Sequence, residues 1–184
     1  MAAMRIFVAG ATGVIGRELL PMLAHHAVVG MTRSRVDAVR ALGAEPVVAD
    51  VYDRERVLAV VTAARPDVVV HLLTDLAERD FEANARIRRV GTRNLVDAAV
   101  AARARRLVIE SISFSASAEG AAAVAEMERI ARESGLESIV LRLARLWGPG
   151  TWNETREREE GAEFIHVRDA ARLVCEAAVG TELT

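Results

Sequence analysis

The chain contains no lysine: all 24 of its basic residues are arginine. An anion bound here must therefore rest on arginine side chains, backbone amides or helix ends. The single cysteine, Cys175, excludes an internal disulfide; in an apolar helical stretch it reads as a small core residue, which fits a reducing compartment. No apolar run reaches the length of a membrane span, and Met4 to Val8 is already strand-like, so no signal peptide is expected ahead of it. The expected location is cytoplasmic, with Met1-Ala2-Ala3 a start-site extension. Neither sign of charge dominates. The 26 acidic residues against 24 arginines leave a net charge of −2, too little to draw the chain to nucleic acid or an anionic membrane. None of the four histidines has a partner at metal-ligand spacing, so no metal is expected. These exclusions leave a small molecule as the expected partner.

What the sequence has in quantity is apolar content, 52% of 184 residues, enough for one well-buried core but a squeeze for two domains. Short apolar runs alternate with longer amphipathic segments, the pattern of βα units burying a parallel sheet between two helix layers. Strands are predicted near 4–9, 27–32, 45–49, 67–73, 106–111 and 138–144, and helices near 14–25, 35–42, 53–64, 79–103, 121–134 and 169–179. The expected fold is α/β, a doubly wound parallel sheet of order 3-2-1-4-5-6 in one domain over 1–184, with a ligand crevice beside the first and fourth strands. Pro21 falls inside the first helix and is predicted to kink it, since apolar spacing continues through Met22 and Leu23. The charge-dense stretch 151–163 reads as a surface loop.

The run FVAGATGVIG, residues 7–16, places Gly10, Gly13 and Gly16 between the first strand and the first helix. Each glycine has a separate task in that context: a tight turn at Gly10, backbone approach to an anion at Gly13, close packing of helix on strand at Gly16. A pyrophosphate would rest on the free N–H groups of the helix start, over Thr12 to Gly16 with Val14 and Ile15 between, and needs no lysine there. The alternative is a glycine-rich turn that binds nothing.

The segment GATGVIG after an N-terminal strand resembles the short-chain dehydrogenase/reductase superfamily, in its extended or atypical, epimerase/dehydratase-like branches with a Rossmann-like fold and a GxxGxxG fingerprint. DVVVHLL (67–73), GTRNLVDAA (91–99), LRLARLWGPGTW (141–152) and FIHVRDAARLV (164–174) are similar, in order, to further segments of that family. The resemblance implies NAD(P) as cofactor. Arg33 stands where NADP-binding members carry an arginine for the 2′-phosphate, with Arg35 beside it; an acidic residue there would instead accept from the ribose of NAD. NADP is therefore expected ahead of NAD, the bland alternative being two solvated arginines opening a helix. By the same resemblance Asp50 and Val51 contact adenine, and Leu72, Leu73 and Thr74 line the nicotinamide side. Asp50 could equally cap the following helix.

The family's catalytic pair is Tyr-x-x-x-Lys, in which the lysine lowers the tyrosine pKa. Aligning Glu128-Arg129 with the family's usual Glu-Arg puts Gly120 and Val124 at those two positions, and the only tyrosine, Tyr52, lies on the adenine side. Composition alone excludes that mechanism. Ser111 and Ser113 stand where the family has its substrate-facing serine, as hydrogen-bond donors to a carbonyl, or else as turn residues. His71 reads as a satisfied buried histidine, His166 with Asp169 as a strand-to-helix turn with a capping acid, and His25-His26 as the close of a helix. Thirteen residues stand in place of the family's substrate lobe, so the pocket should be shallow or shared across a homodimer through the alanine-rich faces of 79–103 and 121–134.

Three functions fit. One is a compact NADP(H)-dependent reductase passing hydride directly to a conjugated acceptor, where proximity and orientation do most of the work. Another is a non-catalytic dinucleotide sensor or subunit, similar to the NmrA-like proteins. A redox-neutral biosynthetic enzyme on the same fold, with Ser111 and His71 as candidates, is the third.

Overall fold

A computed structural model describes residues 3–75, 80–114, 117–155 and 162–180. Six strands, β1 (Arg5–Ala9), β2 (Ala27–Thr32), β3 (Glu45–Val48), β4 (Val68–His71), β5 (Arg106–Ile112) and β6 (Glu137–Leu143), form one parallel sheet. Its order is β3-β2-β1-β4-β5-β6, as the sequence pattern predicts. The register pairs Phe7 with Val29 on one side and with Val69 on the other.

Strand alternation divides the core into two apolar layers. Ile6, Val8, Val70 and Val108 pack beneath α1 (Val14–Met22) and α7 (Val167–Val179). Phe7, Val69, Leu107 and Ile109 pack on the other face, where α3 (Arg54–Ala64), α5 (Thr92–Ala101) and α6 (Ala118–Arg132) supply the cover. Every central strand is apolar on both faces because helices cover both, the condition under which a parallel sheet is stable. The short helix α2 (Val36–Ala41) fills the crossover from β2 to β3.

Three features depart from the sequence pattern. The helix expected over 79–103 is composite: α4 (Phe81–Arg86), a π-helical segment over Ile87–Gly91, then α5. The wide turn sits where Gly91 lies close against the third crossover; a Cβ on it would come 3.0 Å from Val51 and from Ile87. Second, Pro21 ends the first helix instead of kinking it. Without an N–H to return to the Arg17 carbonyl, the helix stops at Met22, and the Leu23 N–H is shared between the carbonyls of Leu19 and Leu20 at 3.2 and 3.1 Å. Third, β7 (Arg145–Trp147) and β8 (Phe164–His166) form a separate parallel pair flanking the expected surface loop. Positions 156–161 of that loop, and residue 79 at the predicted helix start, lie outside the described residues.

Candidate functional site

The crevice opens at the carboxyl ends of β1, β2, β3 and β4, where the strand order reverses around β1 and β4. Its volume is about 410 Å³. The floor is the glycine loop. Gly10 has φ of +93°, and its carbonyl accepts the Gly13 N–H at 3.0 Å, closing the turn. A side chain at Gly10 would strike the Leu72 carbonyl at 2.8 Å, and one at Gly16 the Gly10 and Ala11 carbonyls at 2.4 and 2.6 Å. The loop is thus pinned to β4 by Gly10 and to α1 by Gly16. Among the described residues no side chain caps α1, whose N-cap is Gly13 itself, so the first-turn amides are open to an outside acceptor. A pyrophosphate fits this set of donors; Thr12 and Gly13 line the crevice, while Ile15 and Gly16 are buried behind it and Val14 is half-buried.

Around this floor the structure gathers the remaining residues expected at the cofactor. Arg33 and Arg35 line the crevice from the end of β2, both exposed, and neither guanidinium pairs with a described residue. The Thr32 hydroxyl accepts the Arg35 N–H at 3.0 Å and fixes the turn from which they project. Asp50 and Val51, expected at the adenine, line one wall of the crevice. Asp50 accepts the Tyr52 N–H at 2.9 Å, whereas the helix cap falls to Asp53, which accepts from Arg56 at 2.9 Å. The Val51 carbonyl is held by buried Asn94 at 2.9 Å. Leu72, Leu73 and Thr74 form the opposite wall.

Tyr52, read from the sequence only as being on this side, is part of the crevice wall. The Arg86 guanidinium lies 4.2 Å over its ring, and burial raises the phenol pKa against the pull of that arginine. Its place directly after Asp50-Val51 was the available signal. Ile87, from the π-helical segment, also reaches the wall, and only the unforeseen wide turn puts it there.

The two serines are not brought to the crevice together. Ser111 is fully buried, and its hydroxyl donates to Glu128 Oε1 at 2.7 Å. The alternation of β5 turns it toward α6, away from the phosphate loop. Glu128 also receives Arg142 through both its oxygens, at 2.9 and 2.6 Å, and Arg132 at 3.2 Å, and this set of donors holds its carboxyl down to about 2. Ser113 is exposed after β5, its N–H donating to the Leu143 carbonyl at 2.9 Å. Beside it a trough of about 350 Å³ is lined by Ile112, Phe114, Val124 and the Glu128–Arg142 pair.

The histidines fall largely as expected. His71 is buried, with Nδ1 accepting the Leu73 N–H at 3.2 Å, so Nε2 carries the proton and donates to Thr92 Oγ1 at 2.8 Å. Burial, aided by the charge of Arg88, lowers its pKa to about 4, so it is neutral at physiological pH. At the turn into α7 the cap is His166, whose Nδ1 accepts from the Arg168 N–H at 3.3 Å; Asp169 pairs instead with Arg172 at 3.2 Å. Among the described residues no cluster of ligands is suited to a metal.

This sheet order, with an uncapped helix start behind a glycine turn, defines a dinucleotide-binding fold. Residues 6–121 match the sequence model of the NAD dependent epimerase/dehydratase family, and the chain belongs to that family. Its sequence is 46% identical to the 3-diazoavenalumate denitrifying reductase of a Streptomyces species, over 228 aligned positions covering 98% of this chain and 74% of that enzyme. An uncharacterized protein of Mycobacterium tuberculosis is 28% identical over 97% of this chain but only 20% of its own length. The fold is similar to the Bordetella bronchiseptica enzyme WbmH, solved with NAD+, at a TM-score of 0.79 and 20% identity over 98% of this chain and 74% of that one. A UDP-glucose 4-epimerase from Brucella ovis, solved with NAD, gives 0.76 and 18% over 95% and 73%.

Proposed function

We propose that the chain is an NADP(H)-dependent reductase that delivers hydride directly to an electrophilic acceptor without a protein proton relay. One observation carries this reading: the crevice keeps the glycine loop and an uncapped first turn of α1, while the positions aligned with the family's proton relay are Gly120 and Val124. A reductase keeping one half and dispensing with the other suits an acceptor whose reduction takes its proton from solvent or consumes none.

The likeness to the diazo-compound reductase supports such an acceptor. A reduced nicotinamide, when bound, supplies a hydride. At a diazonium carbon the new C–H bond forms as the C–N bond breaks, and the C–N electron pair leaves with neutral N2. The hydride cancels the positive charge, so atoms and charge balance with no proton moved. The protein's share is then to hold the two reactants in register and to exclude water, a contribution that reaches many orders of magnitude in favourable geometries. The first turn of α1 orients the phosphates; Leu72 and Leu73 present apolar surface on the nicotinamide side. Arg33 is suited to pair with a 2′-phosphate, and the end of β2 has no acidic residue to hold an unphosphorylated ribose, which supports NADP(H) over NAD(H).

The test mixes the protein with NADPH or NADH and a carboxylated benzenediazonium salt, following nicotinamide absorbance and N2 release against an enzyme-free control. We expect acceleration with NADPH, a preference over NADH of roughly tenfold or more from one charge-assisted pair, and its loss in Arg33→Ala. A rise in melting temperature with NADP+ but no acceleration of any acceptor would replace this reading with that of a dinucleotide sensor.

A further inference from the structure

Arg88 lies on the buried side of the π-helical segment, only 5% exposed, yet it makes no hydrogen bond or ion pair with any described residue. An arginine so enclosed is costly unless its donors are satisfied. No buried side-chain nitrogen or oxygen in the described structure is left both sealed from solvent and unpaired. The guanidinium nitrogens of Arg88 must therefore open onto accessible space, although the stem is packed away. Arg88 directly follows Ile87, which lines the crevice together with Leu72 and Leu73 just after β4. Its charge is felt by His71, at the end of β4, and by Glu110, near the end of β5.

Neither neighbour neutralises it. His71 is neutral and spends its protonated nitrogen on Thr92. Glu110 sits too far for an ion pair, and burial pushes its carboxyl up to about 7 even against the attraction of Arg88. Helical spacing sets Arg88 on the buried face with Asn84, Thr92 and Leu95, and the wide turn brings its neighbour Ile87 to the crevice wall. Such insertions cost regular hydrogen bonding and are enriched at functional sites.

We infer that Arg88 is a specificity-determining residue that receives the carboxylate of an acidic substrate, between the ends of β4 and β5, at the nicotinamide side of the dinucleotide crevice. A guanidinium offers a carboxylate two parallel donors, and an enclosed setting with no competing internal acceptor strengthens the pair. The inference rests on the reading of this crevice as a cofactor site with a small-molecule acceptor beside it. It narrows that acceptor to one with an anionic group near the reacting carbon. The pyrophosphate has its own donors at α1, so Arg88 is left for the substrate.

The test is a binding measurement that does not depend on turnover. Hydroxycinnamate and its neutral amide are titrated by calorimetry into the NADP+-loaded protein and into Arg88→Gln and Arg88→Lys. We expect the wild type to favour the carboxylate over the amide at least tenfold, Arg88→Gln to bind both equally, and Arg88→Lys to recover part of the preference. NADP+ affinity should stay within twofold in all three. Arg88→Met should melt no lower than wild type, because the charge removed has no internal partner, and a drop of several degrees would assign Arg88 a structural role instead. Equal binding of acid and amide by the wild type, or a preference surviving in Arg88→Gln, overturns the inference. An Arg88-dependent preference without reduction of any diazonium acceptor would keep it and overturn the reductase.

Discussion

Glu128 offers the most quantitative test of the electrostatics that hold β5, β6 and α6 together. The residue is 3% exposed, and its carboxylate receives Ser111, Arg142 and Arg132. A carboxyl moved from its ordinary 4.5 to about 2 stabilises the folded state by about 3 kcal/mol at neutral pH, at ~1.4 kcal/mol per tenfold change in the protonation equilibrium. Because the folded value is depressed, this stability is fully present above 4.5 and is lost as pH falls from there through about 2. In Glu128→Gln the arginine side chains, 61% and 56% exposed, regain water. The loss should therefore stay near ~3 kcal/mol and not reach the ~5 kcal/mol that accompanies a stranded buried charge. Urea unfolding at a series of pH values measures both quantities. Wild type and variant should differ by that amount at pH 7 and converge as the pH approaches 2. A difference that stays constant down to pH 3 would refute the reasoning, since the carboxylate would then be bearing no charge-dependent load.

Gly16→Ala would place a Cβ 2.4 Å from the Gly10 carbonyl and 2.6 Å from that of Ala11, both backbone atoms. A loss of roughly 1–3 kcal/mol of stability is expected, with dinucleotide affinity, read by calorimetry, falling at least tenfold as the loop is displaced. Thr92→Val removes the acceptor of the buried His71 Nε2–H; thermal or urea unfolding should show a cost of about 1–3 kcal/mol for the stranded donor, and little of it should come from lost volume.

The strand order and the crevice floor were legible because they follow from residue pattern. Six apolar runs with helical crossovers leave few topologies, and three glycines at fixed spacing after β1 mark where a backbone must come close to a ligand. Resemblance to the family, not pattern, pointed to Arg33, Asp50 and Leu72, which line one cavity. Ser111 shows where such reading stops. Its position in the chain pointed to the crevice, but strand alternation turned it to Glu128, and nothing in the spelling of residues 111–113 announces a partner seventeen positions later. The π-helical segment was invisible for a related reason. One surplus residue in a helix changes which side chains turn inward without disturbing the composition that signals a helix. Arg88 is not such a case: at about 100° per residue it shares one face with buried Asn84, Thr92, Leu95 and Ala99, so its inward position was open to reading from the spacing.

The turn after β7 has a practical consequence. At Gly150 the chain runs so close to α1 that a side chain there would meet Arg17 at 2.6 Å and Val14 at 3.6 Å. The protein's two indoles, Trp147 and Trp152, bracket that turn, and Trp147 stands edge-on to His166 with ring centres 4.6 Å apart. Both native indoles thus sit beside a segment that abuts the opening turn of α1, so a ligand settling there is expected to alter their emission, and titration can be read with no label attached.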